Sequence, residues 1–426
     1  MVARCRYGGG VLSKFANILA AVFERPQIWA SNNDQDERNT FELVDALIGS
    51  SGEVSGATLA RKILDRYFEM ADAEKLKFFQ YLSTELDVNP GVIRRTILDY
   101  EKKKSKASYR AFMEAAEPRR QELVRRLNQV PVATGRLVAM RKDLLNFLKD
   151  DQKLAAVDLD FRHLFASWFN RGFLVLRPIS WKSPADVLQK IIQYEAVHEI
   201  TSWTDLRSRL EPKDRRCFAF FHPAMPDEPL IFVEVALTKG VPNSIQAVLS
   251  EKRDMVDPTQ ADTAVFYSIS NCQSGLAGIS FGNSLIKQVV EDLSSELINL
   301  KTFVTLSPIP GFGKWLKDTD RIKIDYGPDD VERLAAYYLL TAKRPDGWPS
   351  DPVARFHLGN GALVDAVHAD ADVSDKGKAQ SLGAMVNYRY DLSLITTNHE
   401  GFAAEKKIAA SVDVEAFSKA SIKAKL

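Results

Sequence analysis

The stretch that decides the fold is Phe266-Tyr-Ser-Ile-Ser270, followed by Gln273-Ser-Gly-Leu-Ala-Gly-Ile-Ser-Phe-Gly282 and then by a helical pattern. Residues 263–269 are mostly apolar, β-branched or aromatic, which predicts a buried strand. The glycines that follow permit a loop whose backbone can approach a ligand closely. Apolar residues then recur every fourth position over 285–297, which predicts a helix capped by Asn283 or Ser284. A strand, a glycine loop and a helix N-terminus together can hold a phosphate, unless the loop serves only as a tight turn.

The composition is that of a globular protein without an excess of charge. The chain has 426 residues, of which 45% are hydrophobic and 27% charged, and its formal net charge is +1. Nucleic acid is not expected as a partner, because binding phosphates along a backbone calls for a basic excess. No apolar run is long enough to cross a bilayer, so no membrane partner is expected. The basic clusters at 102–106 and 119–126 have acidic neighbours and predict solvated helix faces.

The three cysteines, Cys5, Cys217 and Cys272, are too few and too scattered for a disulfide framework or a zinc site. They indicate a reducing compartment, and the cytoplasm is the expected one. Residues 1–23 weakly resemble an organelle transit segment, and residues 424–426 are close to a peroxisomal tripeptide, but neither outweighs that expectation. Cys272 lies beside the glycine loop, and we expect a small buried hydrophobe there in preference to a thiol nucleophile.

The pattern of apolar residues changes near residue 170. Two domains are therefore expected, at 1–170 and 171–426. In the first region apolar positions recur at spacings of three and four, which predicts a bundle of more than four helices with an oligomerisation or scaffolding role. In the second region short β-rich runs alternate with helices in the order β-α-α-β-β-(α)-β-α-β. That order predicts an α+β fold with a partly antiparallel sheet, and not a doubly wound dinucleotide fold. Individual helices are predicted over 109–127 and from Pro184 to about Ala196, the latter capped by Ser183.

Two segments look chemically unusual. In Leu306-Ser-Pro-Ile-Pro-Gly-Phe-Gly-Lys-Trp315, two prolines and a glycine make a rigid turn that fixes the direction of the Ser307 hydroxyl, unless that serine only caps the next helix. In Ala354-Arg-Phe-His-Leu-Gly-Asn-Gly361, His357 stands at a helix end beside a glycine-rich turn that leaves space for a ligand. A lone histidine is most often structural. The other histidines considered are predicted in helical patterns (His163, His198) or in polar loops (His368, His399).

Six segments, taken in order, resemble malonyl-CoA decarboxylases: HPAMPDEP at 222–229, FYSIS at 266–270, GLAGISFG at 275–282, SPIPGF at 307–312, FHLGNGA at 356–362 and VNYRY at 386–390. The match is specific over about residues 160–395 and looser over the N-terminal helices. The resemblance implies a helical N-terminal domain that builds a homotetramer and a catalytic domain of acetyltransferase-like (GNAT) fold. It also implies the conversion of malonyl-CoA into acetyl-CoA and CO2.

The resemblance also implies a site. Ser307 and His357 correspond to the family's catalytic pair, and Ser268 corresponds to a further serine considered functional. The loop that binds the CoA substrate maps onto Ala277, Gly278, Ile279, Ser280, Phe281, Gly282 and Asn283. Animal members have a glutamate where this chain has Ser280, so no carboxylate role carries over there. The chain is also shorter than animal enzymes between Trp315 and Tyr337.

Elementary chemistry agrees with this assignment. Loss of CO2 from a malonyl thioester leaves an enolate, which needs a hydrogen-bond donor at the thioester oxygen and a proton for C2. Backbone N–H groups of residues 267–270 or of the glycine loop are candidates for the donor, and His357, polarised by Ser307, is the candidate for the proton source. No metal or organic cofactor is expected, because the thioester itself takes the charge. Two alternatives stay open: a CoA-dependent acyltransferase of the same fold with His357 as general base, and a non-catalytic CoA-binding scaffold.

Overall fold

The structure is a computed structural model, and it describes residues 37–50, 52–279, 285–319, 321 and 326–423. Several predictions fall outside these residues: the two terminal targeting patterns, the caps Asn283 and Ser284, and the loop residues 280–283. The chain forms two compact units, which within the described residues are 37–137 with 146–160, and 138–145 with 161–423. In the described ranges no helix is both long and apolar enough to cross a membrane.

The first unit is helical, as its periodicity predicts. Its helices are α1 (Thr40–Gly49), α2 (Glu53–Glu69), α3 (Asp72–Thr84), α4 (Pro90–Lys102), α5 (Lys106–Ala116), α6 (Arg119–Leu127) and parts of α7 (Ala133–Phe147) and α8 (Ala155–Trp168). The single helix predicted over 109–127 is two helices, because Pro118 has no N–H to continue the first and stands at the N-cap of the second. In the core, the Tyr67 ring meets Phe78 and Phe79 edge to face, at centroid distances of 5.5 and 5.9 Å.

One basic cluster of this unit is not the solvated face that its charges predict. The lysines at 102–106 are exposed as expected. Arg120 is only 4% exposed; its Nη1 lies 2.8 Å from Asp87 Oδ1 and its Nε 2.5 Å from Asp160 Oδ2. A guanidinium can be buried when carboxylates pair with it. These partners lie 33 and 40 residues away in the sequence, so the local pattern gives no sign of them.

The second unit is built on one mixed sheet, which confirms the predicted α+β fold. Its strands are β1 (Val175–Ile179), β2 (Arg215–Phe221), β3 (Ile231–Thr238), β4 (Thr263–Asn271), β5 (Thr302–Thr305), β6 (Ser307–Pro308), β7 (Leu363–His368) and β8 (Met385–Arg389). Their order is β1-β2-β3-β4-β5-β8-β6, and β7 pairs with β8. Strands β1 to β4 are antiparallel, β4 and β5 are parallel, and β8 is antiparallel to its neighbours. The acetyltransferase-like (GNAT) assignment of this unit stays what the resemblance implies.

Helices complete the second unit. They are α9 (Ala185–Tyr194), α10 (Trp203–Leu210), α11 (Ile245–Leu249), α12 (Leu285–Glu296), α13 (Phe312–Asp318), α14 (Pro328–Thr341), α15 (Pro352–Gly359), α16 (Asp375–Ser381), α17 (Ile395–Glu405) and α18 (Val412–Lys423). Helices α9 and α10 pack on the sheet face that carries Ala219 and Phe232. The predicted cap of α9 is wrong: Pro184 is its N-cap, and Ser183 Oγ instead accepts the N–H of Ser180 in a tight turn.

The sheet opens beside β4, and this opening positions the site. Glu234 of β3 pairs with Ser268 and Val235 pairs with Phe266, so Tyr267 is an extra residue that makes a β-bulge. On its other edge β4 pairs with β5 only as far as Phe266, whose carbonyl accepts the N–H of Leu306 at 3.0 Å. The chain then leaves β4 and pairs through β6 with β8. The second half of β4 therefore faces a cleft on that edge.

Candidate active site

Ser307 and His357 come together from two elements that lie 50 residues apart in the sequence. Ser307 begins β6, at the point where the chain leaves β4, and His357 lies in the last turn of α15. Ser307 Oγ lies 3.2 Å from His357 Nε2, and the two residues are only 5% and 3% exposed. The sequence-predicted pair is thus a buried hydroxyl and imidazole within reach of a shared proton.

Two tyrosines hold the imidazole. His357 Nδ1 lies 2.7 Å from Tyr390 Oη, and the ring stacks on Tyr388 at a centroid distance of 4.6 Å. Burial lowers the pKa of His357 to about 3, so the ring is a neutral imidazole near neutral pH. Burial also raises the pKa of Tyr390 well above its ordinary value, so the phenol keeps its proton. A neutral imidazole carries one N–H, and its two neighbours decide which nitrogen carries it.

The hydrogen bonds around Ser307 give this system a direction. Ser307 Oγ donates to Thr305 Oγ1 at 2.8 Å, and Thr305 Oγ1 also accepts the backbone N–H of Tyr388 at 3.1 Å. With its proton directed at Thr305, Ser307 Oγ accepts from His357 Nε2, and Nδ1 in turn accepts from the Tyr390 hydroxyl. The serine is not a helix cap, because Gly311 stands at the N-cap of α13, which has no side-chain cap.

A buried carboxylate caps the N-terminus of helix α15. Asp351 is the N-cap, and its Oδ1 accepts the N–H groups of Val353 and Ala354, both at 2.9 Å. Asp351 is 2% exposed, and burial raises the pKa of its carboxyl despite these hydrogen bonds. Pro352 at the first helical position has no N–H to leave unsatisfied. Six residues after this cap, His357 is therefore carried by a helix with a defined beginning.

A cavity of about 250 Å³ opens beside the pair, and its surface is mostly apolar. Its walls come from the open half of β4, from the start of β6 and from α15. The lining residues are Val197, Phe266, Tyr267, Ile269, Asn271, Ser307, Pro308, Pro352, Val353, Phe356 and His357. The serine–histidine pair therefore faces the space where the sheet opens.

Ser268, the other predicted serine, is not among the lining residues. It is 1% exposed, and its Oγ lies 2.8 and 2.7 Å from the two carboxylate oxygens of Glu195. Glu195 Oε1 also accepts the N–H groups of Val197 and His198. Ser268 thus supports the turn that brings Val197 to the cavity wall.

The described part of the predicted CoA loop is a turn that a buried arginine holds by hydrogen bonds to its carbonyls. Arg141 of α7 is 1% exposed, and its Nη1 donates to the carbonyls of Gly275 and Ala277 at 2.7 and 3.0 Å. At Gly275 a methyl group would lie 1.9 Å from the Val138 carbonyl oxygen, so this glycine is required by packing against α7. Gly278 has φ +76°, a conformation that glycine adopts without strain. The described residues Ala277, Gly278 and Ile279 thus stand at the start of the loop.

The remaining cysteines and histidines of the second unit do not face the cavity. Cys272 is buried, and burial raises the pKa of its thiol well above the ordinary value, which disfavours a thiolate nucleophile. His198 follows α9 in a loop and not in a helix, and burial lowers its pKa to about 4. The loop predictions for two others are wrong, because tertiary pairing orders them: His368 ends β7 and His399 lies in α17. In the described ranges no group of three or more potential metal ligands occurs.

Both regions of the chain match models of one family. The model described as the malonyl-CoA decarboxylase C-terminal domain matches residues 172–326 and 323–425, and the model of the N-terminal domain matches residues 86–169. The chain belongs to the malonyl-CoA decarboxylase family. Solved structures of this family agree in fold. The malonyl-CoA decarboxylase of Agrobacterium vitis is 48% identical with a TM-score of 0.83, over 89% of this chain and 100% of that chain.

Two further proteins named malonyl-CoA decarboxylase are similar to this chain. The malonyl-CoA decarboxylase structure from Rhodopseudomonas palustris is 47% identical with a TM-score of 0.82, over 88% of this chain and 98% of that chain. The mitochondrial malonyl-CoA decarboxylase of Anser anser anser is 35% identical over 351 residues, which is 70% of this chain and 69% of that relative. The family assignment therefore rests on both parts of the chain.

Sequence reasoning missed the residues that position the pair. Tyr388 and Tyr390 stand inside the VNYRY segment that carries the resemblance, yet nothing in their spacing marks them as partners of His357. Thr305 lies two residues before Ser307. In an extended segment this spacing places both side chains on one side, so a hydrogen bond between their hydroxyl groups could have been predicted. Asp351 before Pro352 is an N-cap signal that is present in the sequence, and it could have located the start of the helix that carries His357.

Proposed function

We propose that the chain catalyses the decarboxylation of malonyl-CoA to acetyl-CoA and CO2, with Ser307 and His357 at the reacting centre. The observation that carries this proposal is the buried contact of 3.2 Å between Ser307 Oγ and His357 Nε2 at the wall of a mostly apolar cavity. An apolar cavity favours this reaction, because a carboxylate that loses its hydration is destabilised relative to neutral CO2.

The negative charge that remains after the loss of CO2 has to be stabilised. When the bond between the carboxylate carbon and C2 breaks, CO2 leaves and the electron pair forms an enolate whose charge lies mainly on the thioester oxygen. We assign the donor for this oxygen to backbone N–H groups of residues 267–270. Tyr267, Ile269 and Asn271 line the cavity, and β4 has no strand partner on that edge beyond Phe266 in the described part of the sheet. One such donor is typically worth about 3 kcal/mol in the transition state.

The proton for C2 comes from the hydrogen-bonded system of His357. Because burial lowers the pKa of His357 to about 3, the proton is carried by neutral groups, the N–H of the imidazole and the hydroxyl of Ser307. Tyr390 donates to Nδ1 and directs the imidazole N–H toward Ser307 and the cavity. The proton given to C2 is replaced from water after CO2 leaves, so the reaction consumes one proton for each molecule of acetyl-CoA formed.

The CoA moiety is assigned to the loop at residues 277–283, where the described turn begins with Gly278. Ser268 is assigned a supporting role, because its hydroxyl bonds to Glu195 and holds the turn that carries Val197. No residue of this assignment requires a metal or an organic cofactor.

One assay tests the proposed reaction. The protein is incubated with malonyl-CoA and no acceptor, and acetyl-CoA and CO2 are followed together. We expect equal amounts of both without added metal, biotin or nucleotide. Acetyl-CoA formation that stops in a chelator and returns with a metal contradicts the cofactor-free mechanism. Turnover that requires an amine acceptor favours the acyltransferase alternative, and binding of CoA without turnover favours the scaffold.

We also propose residues 1–170 as an oligomerisation domain and a homotetramer as the assembly. The support is a helical hairpin formed by α4 and α5, neither of which has a buried residue within the described unit. Four large hydrophobic side chains of this hairpin are exposed: Ile97, Leu98, Tyr109 and Met113. Exposed apolar side chains gathered on one hairpin are typical of a protein–protein contact.

The proposed compartment is a reducing one, with the cytoplasm as the expectation. Cys217 and Cys272 are both free thiols and both buried. Unpaired cysteines of this kind are ordinary in reducing compartments. Fractionation of cells that express the full chain, followed by immunodetection, tests this location.

A further inference from the structure

The glycine turn has a positive charge beside it, for which the described residues provide no acidic partner. Arg162 lies on α8, and its guanidinium packs against Gly278: a methyl group on Gly278 would lie 3.6 Å from Nε and 3.7 Å from both Cζ and Nη2. The residue is exposed. Among the described residues Arg162 forms neither an ion pair nor a hydrogen bond. Its donors are therefore available to a ligand at this turn.

The carbonyls of residues 274–277 in this turn already accept hydrogen bonds. The buried Arg141 takes the carbonyls of Gly275 and Ala277. The N–H groups of Ala277 and Ile279 donate to Ser274 and Leu276 at 3.1 and 3.0 Å. Within the described part of the chain the N–H of Gly278 has no acceptor. A backbone donor and a guanidinium that have no acceptor among the described residues thus occur at the same residue of the turn.

We infer that Arg162 binds a phosphate of the CoA moiety, a role that rests on the proposed function of the site. The planar guanidinium offers two parallel N–H groups to two oxygens of one phosphate. The described residues of the turn have no carboxylate that could compete with the phosphate for it. Arg162 acts on the nucleotide end of the substrate, because the reacting thioester belongs in the cavity beside Ser307 and His357. Its interaction is the same in the bound substrate and in the transition state. Removing it therefore raises KM and leaves kcat unchanged.

The test compares substrates with and without phosphates. The variants are Arg162→Ala, Arg162→Lys and, as a control, Arg207→Ala, an exposed arginine on α10 that pairs with Glu211. Each is assayed with malonyl-CoA and with malonyl-pantetheine, which carries the same thioester and no phosphate. For Arg162→Ala we expect KM for malonyl-CoA to rise about tenfold, since one charge-assisted hydrogen-bonding pair at an exposed site is lost. KM for malonyl-pantetheine and kcat stay unchanged, Arg162→Lys recovers part of the loss, and Arg207→Ala behaves as the wild type.

Two results overturn the inference while leaving the proposed reaction intact. One is an unchanged KM for malonyl-CoA in an active Arg162→Ala enzyme. The other is an equal rise for both substrates, which assigns Arg162 to packing of the turn. A failure of the proposed reaction looks different, because the wild type then shows no turnover. In that case calorimetric titration with CoA decides: weaker binding to Arg162→Ala by about tenfold supports the inference, and equal binding overturns it.

Discussion

The Asp351 carboxylate joins the two halves of the proposed catalytic pair, because its Oδ2 accepts the backbone N–H of Gly311 at 3.1 Å. Gly311 belongs to the turn that follows Ser307, and Asp351 caps the helix that carries His357. A methyl group at Gly311 would lie 3.4 Å from the same oxygen, so the turn lies directly against the cap. The Asp351 carboxylate therefore helps to position the hydroxyl and the imidazole without a hydrogen bond to either.

The first prediction is that Asp351→Asn separates this positioning role from capping. Asparagine keeps an oxygen for Val353 and Ala354, but its amide group offers N–H instead of an acceptor to Gly311. We expect kcat to fall about tenfold with little change in KM, because a small misplacement of reacting groups is costly. The control is Asp257→Asn, an exposed cap of a short turn, which leaves kcat unchanged. A lower melting temperature with normal kcat for Asp351→Asn identifies a purely structural cap.

The second prediction concerns the pair itself. His357→Ala removes the imidazole and leaves the glycine turn in place, so kcat falls by about 10²-fold or more while KM changes much less. Ser307→Ala behaves similarly. If the two residues act as one unit, the double variant is little worse than the worse single one, since both losses remove the same proton path. Single-turnover measurements with malonyl-CoA provide these rates. Near-normal kcat in a folded His357→Ala protein contradicts the mechanism even when malonyl-CoA is the substrate.

The sequence predicts the parts of this site that have a local signature and misses those that depend on tertiary pairing. The strand at 263–269 and the helix after the glycine loop follow from residue periodicity, and both occur as β4 and α12. Strand β6 is two residues long and has no periodicity to read. Tyr390 lies 33 residues from His357 and is one of 12 tyrosines in the chain, so only the fold selects it as the partner of Nδ1.

The third prediction links pH to stability through buried imidazoles. Burial lowers the pKa of His357 to about 3 and that of His198 to about 4, below the ordinary value near 6.5 in an unfolded chain. Below about pH 6.5 the unfolded chain therefore binds more protons, and the free energy of unfolding falls as the pH drops from about 6.5 toward 4. Urea unfolding at several pH values measures this slope. In His198→Gln the slope becomes shallower, and an identical slope contradicts the buried neutral assignment.

The fourth prediction tests the turn at Gly278 by charge alone. Gly278→Asp and Gly278→Asn introduce side chains of nearly equal size, and both residue types tolerate positive φ. The aspartate competes with the phosphate for Arg162, and its negative charge also repels the phosphate. KM for malonyl-CoA is therefore expected to rise about tenfold more in Gly278→Asp than in Gly278→Asn, as for the loss of a charge-assisted contact. kcat at saturating substrate stays alike in the two variants. Equal KM values indicate that phosphates do not approach this turn.

The last prediction concerns assembly through the hairpin of α4 and α5. Ile97 and Met113 are 37% and 49% exposed, and no residue of either helix is buried within the described unit. A lysine at each position places two charges in any contact made by this surface, where burial without a partner is costly. The double variant Ile97→Lys, Met113→Lys is therefore expected to have a smaller mass than the wild type in light scattering at micromolar concentration, with unchanged helix content. Ile298→Lys, at a position 91% exposed in the other unit, is the control and keeps the wild-type mass. A wild type that is already monomeric contradicts the tetramer. If the double variant has the same mass as an oligomeric wild type, the subunits contact each other through another surface.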